Sequence, residues 1–308
     1  MAIVKTHVPM TSRLCGEIID ELVETYPFLH SQILTTTAFG RPVKTLTFGK
    51  GQRQVIFSAA HHANEWITTP VLLKFAEEFA EALTAGGTLY GVPAQILDRY
   101  ATVHLVPMVD PDGVDLVTQA LEPESEEYTR ARHMAQYYPA IPFPEGWKAN
   151  LLGVDLNLQY PAGWLQAREI KFSQGFVRPG PRDYVGRAPL DQKESRALAE
   201  YTQQVDPALV LAYHSQGKVI YWQFREETVP GARELAEEFA RVSGYALEDT
   251  PYASSLAGYK AWFIRHFQRP GFTIEVGSGE NPLPLDQFDE IYRDNLGILV
   301  TAALGLPE

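Results

Sequence analysis

Basic residues are scarce in this chain of 308 residues: 26 lysines and arginines stand against 38 aspartates and glutamates, a formal net charge of −12. Binding a phosphate backbone takes a cationic face, so the balance disfavours a nucleic-acid partner. Cysteine occurs once, at Cys15, which excludes an internal disulfide and fits a reducing compartment. Between Leu14 and Ile18 it reads as a small core residue. No apolar run is as long as a membrane span, and the opening MAIVKTHVPMTSR has no signal-peptide core. These two absences predict no membrane partner and a cytoplasmic location. Repeats, linkers and low-complexity tracts are missing, as are the HExxH and HxxEH patterns that put zinc ligands on one helix.

What remains is an ordinary globular composition, 45% hydrophobic and 21% charged, long enough to bury a large core. Leu14, Ile18, Ile19 and Leu22 predict a helix over 12–25 with Ser12 as its cap. The runs 43–48, 103–109, 210–213, 219–223 and 272–276 read as strands, and the Asp110–Gly113 segment between two of them as a tight turn. Helices are expected after Pro70, from Asp191 with Glu194 in a capping box, over 231–243, and from near Asp286. Segments 122–150 and 161–190 lack any period and read as long loops, which in a compact domain usually serve function. Their arginines suggest a rim for anionic groups. Strands alternating with helices predict one α/β domain over 1–308, with helices on both faces of a sheet.

The stretch VIFSAAHHANEWITTP, residues 55–70, organises the chain. Three large apolar residues run into three small ones, then His61-His62, Glu65 and a Thr-Pro helix start. A buried strand would deliver the histidines to the carboxyl edge of the sheet, where open α/β folds bind ligands. His214 likewise ends an apolar strand, and Glu275 lies inside one, although carboxylates are rarely buried without a partner or a task. His62, Glu65 and His214 form a His₂Glu set that suits zinc with one position left open.

Five segments in order resemble the zinc carboxypeptidase superfamily: His62-Ala-Asn-Glu65 with the following WIT, Asp110-Pro-Asp-Gly113, Gly153-Val-Asp-Leu-Asn157, His214-Ser215 and Phe272-Thr-Ile-Glu275. The resemblance covers nearly the whole chain. It implies a mixed, mostly parallel sheet of about eight strands and one Zn²⁺ on His62, Glu65 and His214, with His61 structural. It also implies Glu275 as the proton-transferring acid and Lys148, in place of the family's arginine, at the oxyanion. Tyr252 resembles the tyrosine that closes over substrate.

Where the chain departs from the family, the departures concern substrate. Asn157 is kept, but the adjoining arginine that reads a free C-terminal carboxylate is Leu158, which leaves Arg168, Arg178, Arg182 and Arg187 as candidate substitutes. Asn64 stands where many members carry arginine. The position of Lys260 resembles the floor of the family's pocket for the leaving residue, where a lysine would favour an anionic side chain. Together with PGPRDYVG and AGYKAWF, these features resemble the γ-D-glutamyl-L-diamino acid peptidases, whose substrates are bacterial cell-wall peptides. Two alternatives are a metallocarboxypeptidase releasing acidic or other C-terminal residues, and a small-substrate deacylase. A third is a non-catalytic zinc protein that binds peptide.

Overall fold

The computed structural model describes residues 2–227 and 229–306. Its strands, in chain order, are β1 His30–Thr36, β2 Pro42–Gly49, β3 Arg53–Ala59, the short pair β4 Thr88–Leu89 and β5 Val92–Pro93, β6 Ala101–Val106, β7 Leu209–Ser215, β8 Val219–Tyr221, β9 Ala246–Glu248 and β10 Gly271–Val276. Eight of them form one sheet in the order β1-β2-β6-β3-β7-β10-β8-β9. The four central strands, β6, β3, β7 and β10, run parallel, while β2 and β8 join them antiparallel. This is the expected mixed α/β architecture.

Alternation along the central strands explains why both faces are covered. Val55 and Phe57 of β3 and Leu209, Leu211 and Tyr213 of β7 belong to one apolar layer, with the helices Thr68–Ala85 and Phe288–Leu304. Ile56, Val210 and Ala212 turn to the other, with Lys193–Val205 and Tyr259–Phe267. A strand buried on both sides must be apolar at every position, and β3 is, from Val55 to Phe57. The helix Thr68–Ala85 ends as its sequence predicts, with Gly86 left-handed at φ 66° and its N–H bonded to the Ala82 carbonyl.

Several local expectations are corrected. The first helix does span Ser12–Thr25, but Thr11 caps it by accepting from Leu14 N, while Ser12 bonds Asp115. Asp110-Pro-Asp-Gly113 is no free turn. Asp110 caps a helix, Pro111–Val117, which continues because Val114 and Leu116 are buried. The helix expected from Asp191 begins at Lys193, because Asp191 is occupied with Arg187 N and Gln192. The two long segments contain the helices Glu126–Ala135 and Trp164–Ser173. Each buries only two residues on the core side, Ala131 with Ala135 and Trp164 with Ala167, too narrow a stripe to show as a period. The strand β1 also escaped the pattern, since it is an edge strand with mostly exposed residues.

Candidate functional site

Three strand ends deliver the central residues. Beyond β3, Ala60 takes φ 48°, and His62 follows in extended backbone as the N-cap of a short turn, Ala63–Glu65. Thr68 fixes this turn: its hydroxyl accepts from Ala60 N at 3.0 Å and donates to the Glu65 carbonyl at 2.7 Å. Ala63 N donates to the Lys148 carbonyl, which joins the turn to a distant loop. The His214 of β7 lies directly opposite Glu275 of β10 in the parallel register. All four side chains thus gather at the carboxyl edge.

His62, Glu65 and His214 each offer one donor atom, and these atoms lie within 4.8 Å of one another. Glu65 holds His62 Nδ1 at 3.0 Å and His214 Nδ1 at 2.8 Å, and the two Nδ1 atoms are 3.3 Å apart. Two imidazole nitrogens that close, both aimed at one carboxylate, can share a proton or a metal cation, and burial holds the His214 imidazole below its ordinary value. Burial opposes an imidazolium at His62, yet Glu65 and Asp155 outweigh it and hold its pKa up at about 9. Burial would raise the Glu65 carboxyl, but His62 and Lys148 pull it well below the usual range. A buried site that favours a cation and supplies two nitrogens and a carboxylate fits Zn²⁺.

The supporting shell is built as metal sites require. Asp155 Oδ1 takes the outer His62 Nε2 at 3.2 Å and also accepts from Asn157 N. Asn157 Oδ1 accepts from Tyr259 N, and its Nδ2 faces His214 Nε2 at 3.4 Å. Ser215 N donates to Glu65 Oε2. Asp155 went unassigned in the sequence although it lies two positions before Asn157. Its role follows from a contact, not a spacing. His61 is fully buried with Nε2 against the Tyr160 hydroxyl, and burial pushes its pKa well down.

Glu275 lines two cavities, which also share Tyr221. One, of 820 Å³, also has Asn64, Lys148, Arg182 and Asn281 on its wall. The other, of 190 Å³, is bordered by Asn157, Thr250, Lys260 and Thr273. Burial, reinforced by Glu65, raises the Glu275 carboxyl to about 8. A profile of the family described as zinc carboxypeptidase matches residues 16–297.

The chain belongs to the zinc carboxypeptidase family. It is accordingly a zinc metallopeptidase. It is 44% identical, over 92% of its own length and 69% of the relative's, to gamma-D-glutamyl-L-diamino acid endopeptidase 1 of Lysinibacillus sphaericus. Its fold matches that of thrombin activatable fibrinolysis inhibitor with a TM-score of 0.76 at 15% identity, over 98% of this chain and 76% of that one. The carboxypeptidase A of Helicoverpa armigera gives a TM-score of 0.70 at 18% identity, over 100% and 76%.

Set against the family pattern, the departures occupy definite places. Leu158 is 7% exposed and sits in the core, so the missing arginine has no cation in its stead at that position. The next residue, Gln159, pins the 161–190 segment by donating to the Val185 carbonyl and accepting from Gln192 N. Lys148 Nζ lies 2.6 Å from Glu65 Oε1. Asn64 Nδ2 donates to the Glu145 carbonyl on the wall of the larger cavity. Lys260 is buried and donates to the Gln223 carbonyl at 2.6 Å and to the Thr250 hydroxyl at 3.1 Å; burial alone lowers its pKa to about 7. Tyr252 is 61% exposed with Arg225 over its ring, bordering a separate surface cavity and neither of those that Glu275 lines.

Proposed function

We propose that the protein hydrolyses the amide bond between a γ-D-glutamyl residue and a diamino acid such as diaminopimelate in bacterial cell-wall peptides. The observation that carries this reading is Lys260, a buried lysine with no charged partner among the described residues, on the wall of a small cavity that Glu275 also lines. The 44% identical relative, gamma-D-glutamyl-L-diamino acid endopeptidase 1, supports it. A diaminopimelyl side chain ends in an amino-acid head, and its distal carboxylate would give Lys260 the counter-charge it lacks. The near carboxylate of that residue is amidated by the next residue in a longer stem peptide, so Leu158 loses nothing there.

The residues divide the work. His62, Glu65 and His214 would hold Zn²⁺, which supplies Lewis acidity toward the scissile carbonyl and acidifies water. Glu275 takes the proton of the attacking water and passes it to the leaving amine. Lys148 faces the developing oxyanion as a point charge, without the planar fork of arginine. Asn157 and Asn64 line the substrate cavities on either side, and Tyr252 would have to swing inward to cover the leaving residue. Released wall peptides in the cytoplasm are the substrate source we favour, a reading supported by the single, free Cys15.

The zinc-loaded protein should cleave γ-D-glutamyl-diaminopimelyl tri- and tetrapeptides at that bond, as mass spectrometry of the products would show. Glu275→Gln should lose turnover by roughly 10²–10⁴-fold with its zinc content unchanged. Comparable rates on ordinary peptides ending in Phe or Leu would refute the substrate reading.

A further inference from the structure

Arg182 is a charged group on the cleft wall that the chemistry above leaves without a task. It shares the 820 Å³ cavity with Lys148 and Glu275. Its place there is fixed from both sides in the chain. The Pro181 carbonyl accepts from Lys148 N at 2.7 Å and Ala149 N at 2.9 Å, and Asp183 N donates to Asp155 Oδ2 at 3.3 Å. The guanidinium is oriented by one edge only, Nε donating to Asp183 Oδ2 at 2.7 Å, while Lys171 from the helix Trp164–Ser173 holds the other Asp183 oxygen. Among the described residues no acceptor holds its terminal nitrogens, and the side chain is 40% exposed.

The other loop arginines are occupied or remote. Arg168 lies over Trp164 and Phe172, Arg178 lies over Tyr137, and Arg187 borders a different cavity beside Arg130. Lys148, bonded to Glu65, is already assigned to the oxyanion. Glu145 and Glu280 border the same cleft as Arg182, so its field is mixed, and a positioned fork selects an anion better than net charge does.

The γ-linkage creates a matching demand. When a glutamyl residue is joined through its side-chain carboxyl, its main-chain carboxylate stays free and ionised on the acyl side of the scissile bond. An α-linked peptide carries an anion three carbons from the scissile carbonyl only where the residue before the bond is itself glutamate. The smaller cavity with Lys260 takes the leaving residue, which leaves the larger one for the acyl side. We propose that Arg182 binds the free α-carboxylate of the γ-glutamyl residue and so makes that carboxylate a condition of efficient cleavage. This assignment rests on the substrate reading above.

The test compares L-Ala-γ-D-Glu-diaminopimelate with its α-amide counterpart, in which that carboxylate is an uncharged carboxamide. Both are given to zinc-loaded native protein, Arg182→Gln and Arg182→Lys. The native protein should lose roughly 10- to 100-fold in kcat/KM on the amide. Arg182→Gln should lose a similar factor on the carboxylate peptide and far less on the amide, with native zinc content. Arg182→Lys, which keeps charge without the fork, should fall between. If Arg182→Gln slows both peptides equally, or the native protein does not distinguish them, the assignment is overturned while the substrate reading stands. If the native protein cleaves neither, the substrate reading fails and takes the assignment with it.

Discussion

Asp155 grips His62 on the side opposite Glu65, and the imidazole has no freedom left to turn. Asp155→Asn keeps the shape and removes the charge that holds His62 in register. It should weaken zinc affinity by roughly 10–100-fold, measured by competition with a chromogenic chelator, with the thermal transition little changed. Lys260 gives a second test at this scale. Its pKa is depressed from 10.5 to about 7, so the folded state resists charging it. The stability it permits is complete above the unfolded value and is lost as pH falls through the folded one. Denaturant titrations of Lys260→Met and the native chain should therefore diverge steadily from pH 10 down to pH 7, the variant gaining up to a few kcal/mol. Below pH 7 the gap should stay constant. A gap independent of pH would mean the ammonium is already paired.

At the scale of elements, the turn Ala63–Glu65 depends on the helix Pro111–Val117 packed behind it. A β-carbon on Gly113 would lie 2.3 Å from Asp110 Oδ2, 2.4 Å from the Ala149 carbonyl oxygen and 2.8 Å from the Ala63 β-carbon. Those neighbours lead directly to Glu65 and Lys148. Gly113→Ala should cost about 1–3 kcal/mol and should also weaken zinc binding, although the residue touches no ligand. Calorimetry and zinc titration on the same sample would check both, and a stability loss with intact affinity would uncouple helix from turn. This glycine looked like turn chemistry in the sequence. Asp-Pro-Asp-Gly begins a turn or a helix by the same local bonds, and only the burial of Val114 and Leu116 decides for helix.

At the scale of the molecule, the metal ligands stand at the carboxyl edge of the sheet. Both apolar layers pack on β3 and β7 through their own buried side chains. The chelated protein should therefore keep its far-ultraviolet circular dichroism and unfold cooperatively. Zinc at about a hundred times its dissociation constant should add about 2.7 kcal/mol, a rise of several degrees in melting temperature. Loss of secondary structure on chelation would show that the metal belongs to the fold. No helix among the described residues is long and apolar enough to cross a membrane.

What the sequence determined alone is whatever local chemistry or a short spacing can carry. That includes the doubly buried strand β3, read from an unbroken apolar run, and the amphipathic helices whose stripes are wide. It includes His62 and Glu65, three positions apart on one turn, and His214 and Glu275, each marked as a polar residue on an apolar strand. The tertiary structure alone decided which distant groups meet. It paired Asp155 with His62, set Lys148 against Glu65, and left Lys260 without a counter-charge among the described residues. Of the four loop arginines it set Arg182 on the wall of the cleft, where backbone bonds from the Lys148–Ala149 segment fix its loop. Periodicity and propensity act over a few residues, whereas these contacts join segments tens to hundreds of residues apart, and only the closed sheet brings them within bonding distance.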